Sequence, residues 1–240
     1  MRCITRIVLA SLGAAACGAA PETRAAAAYA APVAVVAGKG GAVLYVAEHG
    51  AWAVAALERA SGKVLYRPVL EEPPAALALA PDGTRLYVAA GGLEGRVYVV
   101  DAAAGAVRGA FAAGHTPSAL VAAPDGKTLY VCNRFTNDVQ CLDLPSGKET
   151  ARIAARREPV AAALTPDGAV LLVANLLPAG PADGAYTAAE ITVIDTAGPL
   201  YTSDAADHLH RVYLGGRRII QKKKTIQSTL SYRQQLHIIS

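Results

Sequence analysis

Residues 32–198 carry short apolar runs separated by compact turn signals, with no sustained i, i+3, i+4 stripe in any eleven-residue window. That excludes a helical repeat and predicts short β-strands. The runs recur in phase. Pro32, Pro74, Pro117 and Pro159 stand 42, 43 and 42 residues apart, and thirteen residues after each comes the middle of LYV, LYV, LYV or LLV, at Tyr45, Tyr87, Tyr130 and Leu172. Between them lies a turn tripeptide: Lys39-Gly40-Gly41, then Pro-Asp-Gly starting at Pro81, Pro124 and Pro166. Each third run closes on an acid, at Glu58, Asp101, Asp143 and Asp195, and a turn glycine follows at Gly62, Gly105 and Gly147.

Each unit thus predicts four strands. The first is rich in Ala and Val, the second is the LYV run, the third ends on the acid, and the fourth alternates polar and apolar, as in ETARIA. Four short strands at a period of about 40–45 residues indicate a β-propeller blade, with small first-strand side chains along the crowded channel. The fold class is all-β: a partial propeller of four-stranded antiparallel blades, three complete and a fourth incomplete. Pro81 suits position i+1 of a type I turn, and Gly83 follows where a positive φ is needed. The recurring carboxylates suit turn N–H groups better than catalysis, because a residue repeated in every blade serves the repeat.

The flanks differ from this body. Met1–Arg6 is basic, Ile7–Ala16 is an apolar run too short to span and stay, and small residues precede Cys17. This is an export signal. Ala14-Ala15-Ala16-Cys17 resembles a bacterial lipobox with Ala14 in place of the usual Leu, so lipidation of Cys17 stands beside plain cleavage after Ala-x-Ala. Residues 18–31 read as an Ala-rich tether.

After Gly198 the phase stops, and Ala falls from 51 in the first 198 residues to two in the last 42. Residues 199–240 are expected to be a non-native, disordered basic tail, and the fourth blade to lack its outer strand. LYTSDAAD and LGGRRII resemble translated sequencing-adapter sequence; a basic disordered arm is the alternative.

Charge follows this division. The chain is +4 overall, with Lys+Arg 23 against Asp+Glu 19, but residues 18–198 hold 14 bases against 17 acids, a net of −3. A nucleic-acid partner is not expected, and membrane attachment only through a lipid on Cys17.

PxxLxxxPDGxxLYVxN followed by VxVIDxxxG, here with LYVCN and LLVAN, resembles the YVTN family of bacterial propeller repeats over residues 32–198. Ala90 and Glu48 replace the usual Asn in the second and first units. The resemblance implies an exported periplasmic or cell-surface propeller: a non-catalytic recognition or scaffold module. A lactonase-like hydrolase and the propeller part of a haem or copper redox protein are the alternatives. The chain has no CxxCH, HExxH or GxSxG, so no catalytic residue, metal ligand or cofactor is assigned.

Binding candidates lie where the connection before the first strand meets the loop between the second and third. They are His49, His115, Asn133, Arg134, Asn175 and Tyr186, with Glu48, Arg156 and Arg157 nearby, facing an unknown protein or small molecule at the channel rim. The asparagines could equally satisfy turn backbone. Tyr186 sits in an insertion of about ten residues, read from the 52-residue interval between Asp143 and Asp195, which is either a binding loop or a tolerated surface insertion. Cys132 and Cys141, in consecutive strands, suit either a cross-strand disulfide or two buried thiols.

Overall fold

The computed structural model describes residues 29–178, 189–196 and 210–214, with backbone alone at 189 and 210–214. Four antiparallel sheets follow one another along the chain. The first contains β1 (Pro32–Ala37), β2 (Val43–Glu48), β3 (Ala53–Glu58) and β4 (Val64–Tyr66). The second contains β5 (Pro74–Leu79), β6 (Arg85–Ala90), β7 (Gly95–Asp101) and β8 (Val107–Ala113). The third contains β9 (Pro117–Ala122), β10 (Thr128–Asn133), β11 (Asp138–Asp143) and β12 (Glu149–Ala154). The fourth contains β13 (Pro159–Leu164), β14 (Val170–Asn175), β15 (Ala189–Asp195) and β16 (His210–Leu214). Strand order within each sheet is sequence order, and β1, β5, β9 and β13 stand side by side as the inner strands of successive blades.

Turn chemistry sets the hairpins. Gly83 N–H donates to Ala80 C=O at 2.8 Å with φ 79°, and Asp82 Oδ1 takes the Thr84 N–H at 2.9 Å. The same bonds recur at Gly126 and Gly168. The acid ending the third strand caps the next turn. Asp101 Oδ1 accepts the N–H groups of Ala103 and Ala104, both at 3.0 Å, and Asp143 Oδ2 accepts that of Ser146. Arg108 on Asp101, with those two N–H groups, holds its carboxyl down at about 2. These acids therefore serve turns.

The core lies between blades rather than inside one. Leu86, Val88 and Ala90 of β6 pack toward blade one, with Tyr45, Val54 and Ala56; Tyr87 and Ala89 pack toward blade three, with Leu129 and Val131. A third cluster joins blades three and four through Cys132, Val139, Leu171 and Val173. β6 and β10 are consequently apolar on both faces, which hides the alternation usual in a half-buried strand. Each fully buried Leu or Val contributes about 1.5–3 kcal/mol. In the end blades β2 and β14 alternate, and Leu172 is exposed.

Two links repeat from blade to blade. Tyr45 Oη donates to Ala102 C=O at 2.9 Å, crossing from blade one to blade two, and Tyr87 and Tyr130 are buried in the clusters that join their blades to the next. A strand-four aromatic also lies on the next blade's turn glycine: a Cβ on Gly105 would sit 2.3 Å from Tyr66, and one on Gly147 would sit 2.2 Å from Phe111. The tyrosine of the LYV run is thus an inter-blade strut.

One expectation is corrected. The fourth blade is not left without an outer strand, because His210–Leu214 pairs antiparallel with β15, from Ala189↔Leu214 to Val193↔His210. The physical reason is the edge. β15 without a neighbour presents a row of unpaired backbone groups, and HRVYL supplies a β-prone segment to meet them. The rest of 199–240, and residues 1–28, lie outside the described residues.

Candidate rim site

Antiparallel order places two connections of every blade on one face: the loop from the second to the third strand, and the link from the fourth strand to the next blade's first. They are bonded together in each blade. Ala31 C=O accepts from His49 N–H, Pro73 C=O from Gly91, Thr116 C=O from Arg134 and Glu158 C=O from Leu176. The residues before Pro32, Pro117 and Pro159 hold left-handed backbone, with φ 45° at Ala31, 53° at Thr116 and 56° at Glu158. For the β-branched Thr116 this is strained, and it persists because Thr116 N–H is bonded to Gly92 C=O at 2.7 Å while its own carbonyl is taken at 3.0 Å. The rim is a set of pinned turns.

Asn133 belongs to this pinning. It is fully buried; its Oδ1 accepts the Gly114 N–H at 3.1 Å and its Nδ2 donates to Asp138 Oδ1 at 2.7 Å. Asp138 also receives Arg152 at 3.0 Å, and Arg152 reaches Glu149, whose carboxyl it lowers. Asn175 is the counterpart in blade four, with Nδ2 donating to Glu190 C=O at 2.8 Å and Thr192 Oγ1 at 3.0 Å. Its Oδ1 carries no hydrogen bond, nor do the buried Glu190 Oε2 and Arg156 Nε, which lie 3.4 Å apart. In both blades the asparagine amide is committed to backbone and neighbouring side chains.

Arg134, His115 and a residue that escaped the sequence reading form one exposed cluster. Arg134 Nε and Nη2 donate to Glu158 Oε2 at 2.9 and 2.7 Å. The guanidinium lies 5.1 Å above the Phe135 ring, and His115 meets the same ring edge-on at 5.1 Å. His115 Nδ1 also contacts Thr116 Oγ1 at 2.7 Å. Phe135 nevertheless stays 51% exposed, and Leu93 in the matching loop of blade two is 76% exposed. Val69 and Leu176 add exposed apolar tips on the same face. The available signal was an apolar residue inside a loop otherwise built of turn residues.

His49 is directed elsewhere: its Nδ1 lies 3.0 Å from Pro74 C=O, a bridge between blades one and two. Glu48 pairs with Arg67 at 2.5 Å, and Arg157 reaches Pro178 C=O. Tyr186 and Cys17 lie outside the described residues. Of the two alternatives for the cysteines, the structure holds the buried thiols and not the disulfide: Cys132 and Cys141 are free, and burial pushes both thiols up to about 12. Register explains it. Cys132 faces Val139 and Cys141 faces Tyr130, so the two cysteines are a diagonal pair, not an opposed one. Among the described residues no group of three or more His, Cys, Asp or Glu could hold a metal ion, and no helix is long and apolar enough to cross a membrane.

Repeats pinned this way, with inner strands side by side and cores between sheets, have counterparts among known structures. A chain of Kuenenia stuttgartiensis hydrazine synthase superposes with a TM-score of 0.63 at 22% identity, covering 75% of this chain and 50% of that one. The fold is a β-propeller. A chain of the mitotic checkpoint complex aligns with a TM-score of 0.55 at 19% identity, covering 60% of this chain and 46% of that one. The present chain thus spans about half the length of the solved propellers it matches. Residues 93–197 match the family model described as outer membrane protein assembly factor BamB. No curated protein sequence matches the chain.

Proposed function

We propose that this protein is an exported envelope β-propeller that recognises a partner protein through its rim, as a non-catalytic recognition or scaffold module. The observation that carries the reading is the Leu93 and Phe135 pair, large apolar side chains held open to solvent on rigid turns beside the Arg134–Glu158 ion pair. Aromatic and aliphatic tips ringed by charge are the usual make-up of a protein-binding patch. Export is supported by the basic start, the apolar run Ile7–Ala16 and Cys17 as a lipidation candidate. The likeness of residues 93–197 to an outer membrane assembly factor and the YVTN-like signatures point to the same compartment. The break in period and composition after Gly198 supports residues 199–240 as foreign to the repeat, with β16 a segment recruited by an open edge. The hydrazine synthase likeness is one of fold and lends a redox role no residue of this chain.

The test compares the full chain with a Leu93→Ser/Phe135→Ser variant as baits in envelope extract. Both side chains are exposed, so the variant should melt with the parent. Loss of a specific captured protein supports rim recognition. Equal capture by both, or by neither, contradicts it.

A further inference from the structure

Two cavities along β8 share one residue, and the larger of them reaches the rim at Leu93, His115 and Thr136. One, of about 460 Å³, is lined by Arg85, Val99, Arg108, Gly109, Phe111 and Leu144. The other, of about 660 Å³, is lined by Leu93, Arg96, Ala110, Phe111, Ala113 and Thr136. Phe111 lies in both, so together they form one groove along β8, at the seam between blades two and three. β8 is the last strand in its sheet order, with no strand partner on that side among the described residues.

Exposed edges are ordinarily protected by shortness, charge or proline. β4 has three residues, and β12 carries Glu149 and Arg152. β8 has seven residues, VRGAFAA; its one charge, Arg108, sits at a bulge in the ladder to β7, and from Gly109 to Ala113 it runs in regular register with no charge. Its backbone is turned the right way for pairing. Ala112 C=O points away from β7 and already accepts Gln140 Nε2 of blade three at 3.3 Å, and strand alternation turns the N–H and C=O of Ala110 away from β7 as well, so pairing centres on Ala110.

We infer that β8 pairs with β8 of a second copy of this chain, antiparallel about a twofold axis at Ala110, making one continuous eight-stranded sheet. This interface runs along β8 and adjoins the rim at its Leu93 end; it does not rest on the rim reading, and Leu93 is unchanged in every variant that tests it. The sequence of β8 is self-complementary in that register. Gly109 falls opposite Phe111, so each copy's aromatic ring covers the other's glycine, a pairing that compensates an edge glycine. Phe111 is half-buried and keeps its other face on Gly147. At Gly109 the ring of the second copy enters the smaller cavity, against Val99 and Leu144. Arg108 falls opposite Ala112, so the two arginines stand at opposite ends and do not oppose each other. Closed twofold pairing uses the edge up and leaves no template for a fibre.

Sedimentation of the full chain over a concentration series reads the association. The expected result is a reversible monomer–dimer equilibrium that weakens at least about tenfold in Ala110→Pro, which blocks an outward N–H without removing a β7–β8 bond. A charge at the same edge, Ala112→Lys, should act likewise, while Val35→Lys on the open face of blade one should not. A short bis-maleimide should link Ala110→Cys chains into dimers beyond any formed by the parent. A monomer at every concentration overturns the inference, as does a dimer insensitive to both edge variants or broken by Val35→Lys. If Ala110→Pro fails to fold, Ala112→Lys and the cross-link decide alone.

Discussion

Replacing Asn133 with Ala separates a structural asparagine from a ligand-binding one. The change removes the acceptor of the Gly114 N–H and the donor to Asp138 Oδ1, bonds of 3.1 and 2.7 Å in a fully buried position. An orphaned buried group costs about 1–3 kcal/mol, and Asp138 keeps Arg152, so its share lies at the low end. The sum is about 2–4 kcal/mol. For a chain of this size each kcal/mol moves the midpoint by about 2–4 °C, which gives a drop of about 4–16 °C. Urea unfolding followed by circular dichroism measures it directly, with the slope checked for two-state behaviour. Asn133→Asp adds a pH signature. A second carboxyl beside Asp138 raises one folded-state pKa above its unfolded value near 4, so the penalty should be absent below about pH 4 and grow as pH rises through the raised value. Asn133→Ala within about 0.5 kcal/mol of the parent would refute the reasoning and return Asn133 to the list of binding residues.

Further outcomes are checked with the same protein. The Asp101 carboxyl, held at about 2, lies below its unfolded value near 4, so its contribution should be present above about pH 4 and lost as pH falls toward 2; in Asp101→Asn that part of the pH–stability curve should flatten. Cys132 and Cys141, with thiols at about 12, should resist alkylation at pH 8 until denaturant is added, and a non-reducing peptide map should show no bond between them. Gly147→Ala should destabilise the chain by at least about 2 kcal/mol, because the new Cβ meets the Phe111 ring and φ is 68°. Ending the chain after Gly198 removes β16 from the β15 edge and should lower the melting temperature by no more than about 2–4 °C, the cost of a peripheral strand; a larger fall would mean that β16 is integral to blade four.

The strands were legible because each blade repeats the same turn chemistry locally. Pro at the first strand, Pro-Asp-Gly at the first hairpin and the acid before the turn glycine are all short-range signals, and β5, β9 and β13 begin on Pro74, Pro117 and Pro159. What escaped depends on contacts between blades. Tyr45 reaching Ala102, Phe111 lying on Gly147 and Arg134 meeting Glu158 join residues 24 to 57 apart, and nothing in local pattern announces them. The choice between a disulfide and two thiols at Cys132 and Cys141 turned on register, since a diagonal offset of two residues is invisible without the ladder. β16 escaped for a different reason: its pairing comes from the open edge of β15 and not from the repeat. Among the rim candidates within the described residues, Asn133 and His49 turn inward, while Phe135 and Leu93, unmarked by chemistry, face solvent.

Recognition through one face of the propeller can be read directly in the envelope. A photo-reactive residue placed at Phe135 on the rim, and in a second chain at Lys127 beside the opposite-face turn, tests it inside the cell envelope. Lys127 follows the Pro124–Gly126 turn at the far end of β10 from Phe135. A discrete cross-linked partner is expected from position 135 and none from 127. Cross-links from 127 alone, or equally from both, would contradict it.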